Sequence, residues 1–227
     1  MKRKTLTISI KKIFCFILAI FIVYYGGLKI WAATVDTTPI TFSDNNLYQS
    51  LRTRLSKYII DRDDTTKTLE IRTDAIPEIT ELDLSNCQIS DLTGIEYFTN
   101  LVTLNLSKNT IADVSNLAGL KSLETLNLSN NTINNIDNIR SLTALTNLNL
   151  NSNKISDISA VSSLVNLQTL DVSNNAISTA VAVQSLPNLT SLNVSQNSSL
   201  GNISDVLMSK LTVLNVANTA ITNIDGI

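Results

Sequence analysis

Asp91, Asp113 and Asp157 recur at multiples of 22 residues, and they are the first side chains to test for chemistry. A hard cation needs several oxygen ligands gathered at one point, and none of these aspartates has a second acid beside it. Each reads better as the cap of a short helical turn. Histidine is absent from the 227 residues, which removes the commonest general base and the commonest metal ligand. There is no serine-centred glycine elbow, no glycine-rich phosphate loop and no cluster of metal-ligand types. The sequence therefore predicts a protein that is not an enzyme, with no catalytic residue, no metal and no cofactor.

What the chain offers instead is regularity. Residues 101–122 read LVTLNLSKNTIADVSNLAGLKS and residues 123–144 read LETLNLSNNTINNIDNIRSLTA. Each opens L-x-x-L-x-L-x-x-N-x-I, which is the leucine-rich-repeat pattern. The asparagine position falls at Cys87, Asn109, Asn131, Asn153, Asn175, Asn197 and Thr219, spaced by 22 without a slip. In Leu104-Asn105-Leu106 the two leucines alternate with an outward residue, as a strand demands, so they point into the solenoid.

Asn109, Asn131, Asn153, Asn175 and Asn197 then form a structural ladder, placed where the chain turns off each strand so that their amides satisfy backbone groups of adjacent repeats. Cys87 and Thr219 lose most of that pairing and fall in terminal repeats. Ile111, Val114, Leu117 and Leu120 carry the apolar set around the other side. A period of 22 leaves no room there for a full helix, so 3₁₀ turns and extended segments are expected. The sixth repeat, residues 189–210, has Ser199 in place of the usual Ile, with Leu200 and Gly201 shifting the pattern by one into a local bulge.

The elements around the repeats are less regular. Lys2, Arg3, Lys4, Lys11 and Lys12 precede an uncharged apolar run from Ile13 to Leu28, and small residues follow at Ala32-Ala33. This is the pattern of a secretory signal, cut most favourably after Ala32; an uncleaved membrane anchor is the alternative. Cys15 follows Lys-Ile-Phe, which does not suit lipidation. Six of the 17 lysines and arginines lie in residues 1–33, leaving 11 against 19 acids and a balance of about −8. Such a surface argues against nucleic acid and anionic lipid, so membrane contact is expected only through the N-terminal segment. With Cys87 alone after cleavage, no internal disulfide can form.

Residues 34–78 look built to cover the first repeat as an N-terminal helical cap. Ser43 is placed as N-cap, Phe42 to staple onto Leu47, and Leu47, Leu51, Leu55 and Tyr58 form one stripe, predicting a helix to about Tyr58. Arg52, Arg54 and Lys57 fall off that stripe as a solvated face. Residues 61–67 read as a loop, and Leu69 to Ile79 completes the cap with Pro77 ending any helix. Residues 79–227 hold the repeats, six full and a seventh truncated, whose Leu211, Leu214, Val216, Ile221 and Ile224 leave an apolar edge; a fragment of a longer protein or a covering partner would account for it.

The fold class is α/β: a leucine-rich-repeat solenoid with a parallel sheet on its concave face, a 3₁₀ and extended convex side, and the N-terminal cap. Three columns are expected to line the sheet. Asp83, Asn105, Asn127, Asn149, Asp171, Asn193 and Asn215 lie between the strand leucines. Ser85, Ser107, Ser129, Asn151, Ser173, Ser195 and Ala217 lie two places on, and the next column runs from Glu81 through Thr103, Thr125, Asn147, Thr169 and Ser191 to Val213. Glu81 and the first column are the candidate binding residues. No aromatic appears among them, although Tyr, Trp and Arg usually anchor tight interfaces. The bland account is a solvated strand face; the sharper one is a regular polar ladder matched to a regular ligand such as a glycan strand. Ice would need a flat lattice, which a concave face fits poorly.

Signal, cap and 22-residue repeats in that order resemble the internalin family of Gram-positive surface proteins. The stretch Ile89-Ser90-Asp91-Leu92-Thr93-Gly94-Ile95-Glu96-Tyr97 is similar to that family's first repeat, and PITFSDNNLYQSL to the opening of its cap. The resemblance implies a secreted or cell-surface protein whose curved face binds a protein or carbohydrate on another cell or in the envelope, with adhesion or invasion as the outcome. A cell-envelope scaffold, a module that targets a further C-terminal domain, and a cytoplasmic regulator built on similar repeats are the alternatives, the last disfavoured by the signal.

Overall fold

The computed structural model describes residues 35–203 and 210–222. The expected signal segment lies outside the described residues. From the fourth strand onward the architecture is one seven-stranded parallel sheet: β4 (Glu81–Asp83), β5 (Thr103–Asn105), β6 (Thr125–Asn127), β7 (Asn147–Asn149), β8 (Thr169–Asp171), β9 (Ser191–Asn193) and β10 (Val213–Asn215), side by side in chain order. Every pair is in the same register, with Leu104 beside Leu126 and Asn105 beside Asn127, so each residue's neighbour is the residue 22 positions on. Parallel strands need a crossover, and here the return runs through 3₁₀ turns such as Ser115–Leu117, Asp137–Ser141 and Ser159–Ser163.

The strands stop after three residues for a reason visible in the backbone. Asn86, Lys108, Asn130, Ser152, Asn174, Gln196 and Asn218, each three positions past a strand's end, are all left-handed, with φ between 52° and 60°. That conformation turns the chain inward, and asparagine tolerates it better than other non-glycine residues. Inside, Leu101, Leu104, Leu106, Ile111, Val114, Leu117 and Leu120 of one repeat are buried and belong to a core that runs from Ile40 to Ile203 without interruption. Each such side chain contributes about 1.5–3 kcal/mol relative to exposure, and stacking the repeats is what removes them from water.

The sixth repeat bulges as its sequence suggests. Thr132, Lys154 and Ala176 donate their N–H to the carbonyls of Ile111, Ile133 and Ile155, but Ala220 reaches the carbonyl of Leu200 instead of Ser199. Leu200 is fully buried in the place the absent isoleucine would take.

The N-terminal segment is not purely helical. Helix α1 (Asn45–Arg54) is joined by an antiparallel sheet of β1 (Thr37–Thr41), β3 (Thr68–Arg72) and β2 (Ile59–Asp63), in that spatial order. The helix stops short of Tyr58: Leu55 closes it with its N–H on the carbonyl of Leu51, and the β-branched pair Ile59-Ile60 goes into a strand. The expected loop is therefore strand through Asp63, and residues 69–79 give β3 followed by a 3₁₀ turn, Thr73–Glu78, that contains Pro77. The N-cap is Asp44, not Ser43, because Asp44 Oδ1 accepts from the N–H groups of Asn46 at 2.7 Å and Leu47 at 3.0 Å. Phe42 is buried, with its ring 6.3 Å from that of Tyr48.

Candidate binding surface

The outer face of the sheet carries two columns of side chains. The first, Glu81, Thr103, Thr125, Asn147, Thr169, Ser191 and Val213, is exposed or half-buried throughout. The second holds the asparagines and aspartates between the strand leucines, and each ends its strand with the same turn. Asp83 accepts from the Ser85 N–H at 3.0 Å, Asn105 from Ser107 at 3.1 Å and Asn127 from Ser129 at 3.0 Å. Asn149 accepts from Asn151 at 2.9 Å, Asp171 from Ser173 at 2.9 Å, Asn193 from Ser195 at 3.2 Å and Asn215 from Ala217 at 3.1 Å.

One oxygen of every member is thus occupied in the backbone, which explains why Asp and Asn interchange at this position: only the acceptor is required. It also fixes the asparagine amides, since an N–H can face only the oxygen. At Asp83 the side chain and N–H of Ser85 hold the carboxyl below its ordinary value, with a smaller pull from Arg54.

The expected column from Ser85 to Ala217 does not form a continuous part of the face. Ser107, Ser129, Ser173 and Ser195 are buried, at 7, 6, 2 and 5% exposure. Alternation holds only while the chain is a strand, and by these residues it has already begun to turn under the next repeat. Ser173 sits in a polar knot instead: its hydroxyl donates to Asp171 Oδ1 at 2.5 Å and accepts from Asn151 Nδ2 at 2.7 Å, while Asn193 Nδ2 reaches Asp171 Oδ2 at 3.1 Å.

Behind the face, the inner asparagines tie rung to rung. Asn131 Nδ2 donates to the carbonyls of Leu106 and Leu128, both at 3.0 Å, and its Oδ1 accepts from the N–H of Ile111 at 3.0 Å. Asn109, Asn153, Asn175 and Asn197 repeat the arrangement, each meeting the repeat before it. Thr219 bonds within its own repeat, to the carbonyl of Val216, and Cys87 to that of Ser85.

Asp91, Asp113 and Asp157 accept from the N–H two residues on, at 2.7, 2.8 and 2.7 Å, at the entry to the 3₁₀ side. Among the described residues no three His, Cys, Asp or Glu side chains are grouped to hold a metal ion.

Two features had no local signal in the sequence. Asp44 Oδ2 accepts from the Ser90 N–H at 2.8 Å, the Ser90 hydroxyl at 2.9 Å and the Asp91 N–H at 3.2 Å. Burial opposes its charge, but the bonds from Ser90, Leu47 and Asp91 outweigh it and leave its carboxyl below the ordinary value. Arg54 and Lys57 line a cleft of about 410 Å³ with Tyr58, Glu78, Glu81 and Asp83, beside β4 at the first edge of the sheet. Residues 46 or 27 positions apart carry no periodic pattern that could announce either arrangement.

Comparison with known proteins agrees with this geometry. The family model for leucine-rich repeats (two copies) matches residues 77–119, 121–163 and 165–208. No curated protein sequence matches the chain significantly. Among solved structures, the functional domain of InlJ from Listeria monocytogenes, described as including a cysteine ladder, is 26% identical with a TM-score of 0.71, covering 85% of this chain and 41% of that one. Internalin C2 of the same species is 25% identical with a TM-score of 0.62, covering 83% of this chain and 91% of that one. An internalin (inlF) at 24% identity and a TM-score of 0.59, covering 85% of this chain and 68% of that one, shares the fold. The chain thus spans less than half of the InlJ domain. With the family model matching more than half of its residues and the internalin solenoids superposing on its rungs, the chain belongs to the leucine-rich-repeat family and is internalin-like.

Proposed function

We propose that this is an exported binding module, adhesin-like, that recognises a protein or glycan through the outer face of its parallel sheet. The observation that carries the reading is the face itself: two polar columns run unbroken from β4 to β9, presented by a rigid core and left uncovered by any other described part of the chain. Interfaces are built where a scaffold fixes side chains in advance. In this reading residues 1–33 direct export, residues 34–78 cap the solenoid, and residues 79–227 carry recognition, with Glu81, Asp83, Asn105, Asn127, Asn149, Asp171, Asn193 and Asn215 as binding residues. The surface or the extracellular medium is its place of work, and the acidic balance keeps nucleic acid out of the partner list.

The test has two arms. Protease added to intact producing cells should remove the repeats, and protection until lysis would end the case for export. For binding, the full chain carrying Thr125→Arg on the face is compared with one carrying Asn138→Arg, an exposed residue of the 3₁₀ turn Asp137–Ser141. Attachment to cells or envelope preparations should fall at least tenfold for the first and stay unchanged for the second. Equal behaviour would remove the face from the account.

A further inference from the structure

We propose that Asn105, Asn127 and Asn149 form a comb of three amide donors that selects a neutral glycan carrying acetamido groups; this deepens the reading above and rests on it. On β5, β6 and β7 the Oδ1 of each amide is taken by the N–H two residues on, at 3.1, 3.0 and 2.9 Å. The Nδ2 of each therefore points away from the backbone, and none has a protein partner among the described residues. No buried side-chain nitrogen is left unpaired among the described residues, so these three amide groups are open to solvent. Asn193 does not extend the comb, because its Nδ2 is spent on Asp171 Oδ2 and the Ser173 hydroxyl.

Three features choose the ligand. First, all three groups only donate, so the ligand must present acceptors, and an amide oxygen is a stronger neutral acceptor than a hydroxyl that also donates. Second, the comb is bracketed by carboxylates, Asp83 one strand before and Asp171 one strand after. A polyanion such as a uronic-acid chain would be repelled at both ends. Third, neighbouring strands lie about 4.8 Å apart, whereas same-side carbonyls of an extended peptide recur at about 6.8 Å. A peptide laid across the strands falls out of step by the third rung. A β-1,4-linked glycan turns over at each ring, so its same-side acetamido groups recur at every second sugar, roughly two strand spacings apart, and meet the outer teeth Asn105 and Asn149. The hydroxyls of Thr103 and Thr125 stand beside the comb to meet its hydroxyls.

The chain supplies its own control substitution. Asp83 and Asp171 make the same turn as the asparagines, so Asn105→Asp and Asn149→Asp keep the acceptors that Ser107 and Asn151 need and put a carboxylate oxygen in place of the donor. The full chain is titrated calorimetrically with a β-1,4-linked N-acetylglucosamine tetramer, its deacetylated form and cellotetraose. The acetylated tetramer should bind, cellotetraose at least tenfold more weakly, and Asn105→Asp and Asn149→Asp should each lose at least tenfold with the thermal midpoint unchanged. Tighter binding of the deacetylated tetramer would mean attraction to the carboxylates and would overturn the proposal. So would binding that Asn105→Asp, Asn127→Asp and Asn149→Asp all leave intact. If no tetramer binds yet Thr125→Arg still abolishes attachment to cells, the acetamido assignment falls and the face stands, with a protein ligand as the remaining occupant. If Thr125→Arg has no effect either, the face reading falls with it.

Discussion

Asp44 grips Ser90 at two points, accepting from its N–H and from its hydroxyl through one oxygen while the other caps helix α1. One side chain thus fastens the N-terminal segment to the first repeat. Asp44→Ala is expected to cost about 2–4 kcal/mol, the sum of a lost cap and stranded donors. Asp44→Ser keeps the cap but not the reach to Ser90, and should cost about 1–2 kcal/mol. Urea unfolding at neutral pH measures both, and an Asp44→Ser variant as stable as the wild type would show that the fastening contributes nothing.

The same carboxylate sets an acid dependence. Its folded pKa lies below the ordinary 3.8, so its contribution is complete above that value and is lost as pH falls through the lower folded value. The stability difference between wild type and Asp44→Asn should be constant from neutral pH down to about 5 and shrink below 3.8. A difference that persists at the acid end would mean the bonds do not depend on the charge.

Gly94 has φ 102°, and a Cβ added there would lie 2.5 Å from Phe42 Cδ1 and 3.1 Å from the carbonyl of Thr41. Gly94→Ala is expected to destabilise by about 2–4 kcal/mol, through backbone strain and displacement of a buried ring. Gly119→Ala meets nothing within 4 Å and should be neutral or slightly stabilising. Thermal unfolding of the two variants side by side decides the matter.

Lys108 is an exposed residue held at φ 57°, where four of the other rungs have asparagine. Lys108→Asn should therefore raise stability by up to about 1 kcal/mol, and Lys108→Val should lower it by more than that. If both variants unfold with the wild type, the left-handed turn carries no strain at this rung.

Asn131 offers a harsher test of the inner ladder. Asn131→Ala strands the carbonyls of Leu106 and Leu128 and the N–H of Ile111, and should cost about 3 kcal/mol or more. Hydrogen exchange should quicken at Ile111 and in the repeats on either side before it does in β4 or β9. Uniform quickening along the chain would mean the repeats unfold as one unit.

The repeats were legible because every role is written several times over: an irregular Ser199 stands out against Ile111, Ile133, Ile155 and Ile177, and Leu200 is the obvious substitute. The N-terminal segment is written once. Nothing local tells that Thr37 will pair with Arg72, or that Ile59 and Ile60 will open a strand paired with Ile71 and its neighbours. The sheet face was half legible. Alternation placed Asn105 outward, but carried two residues further it misplaced Ser107, because the turn made by Asn105 itself ends the strand. Which side of that amide faces the solvent follows only from the hydrogen bond.

The inner asparagines also give the solenoid an order of completion. Asn109 serves the N–H of Ile89, Asn131 that of Ile111 and Asn153 that of Ile133, always one coil back toward the N-terminus. A coil is finished only when its successor arrives. Construction in the direction of synthesis, one coil at a time, thus leaves a single unfinished coil at the growing end and a completed stack behind it.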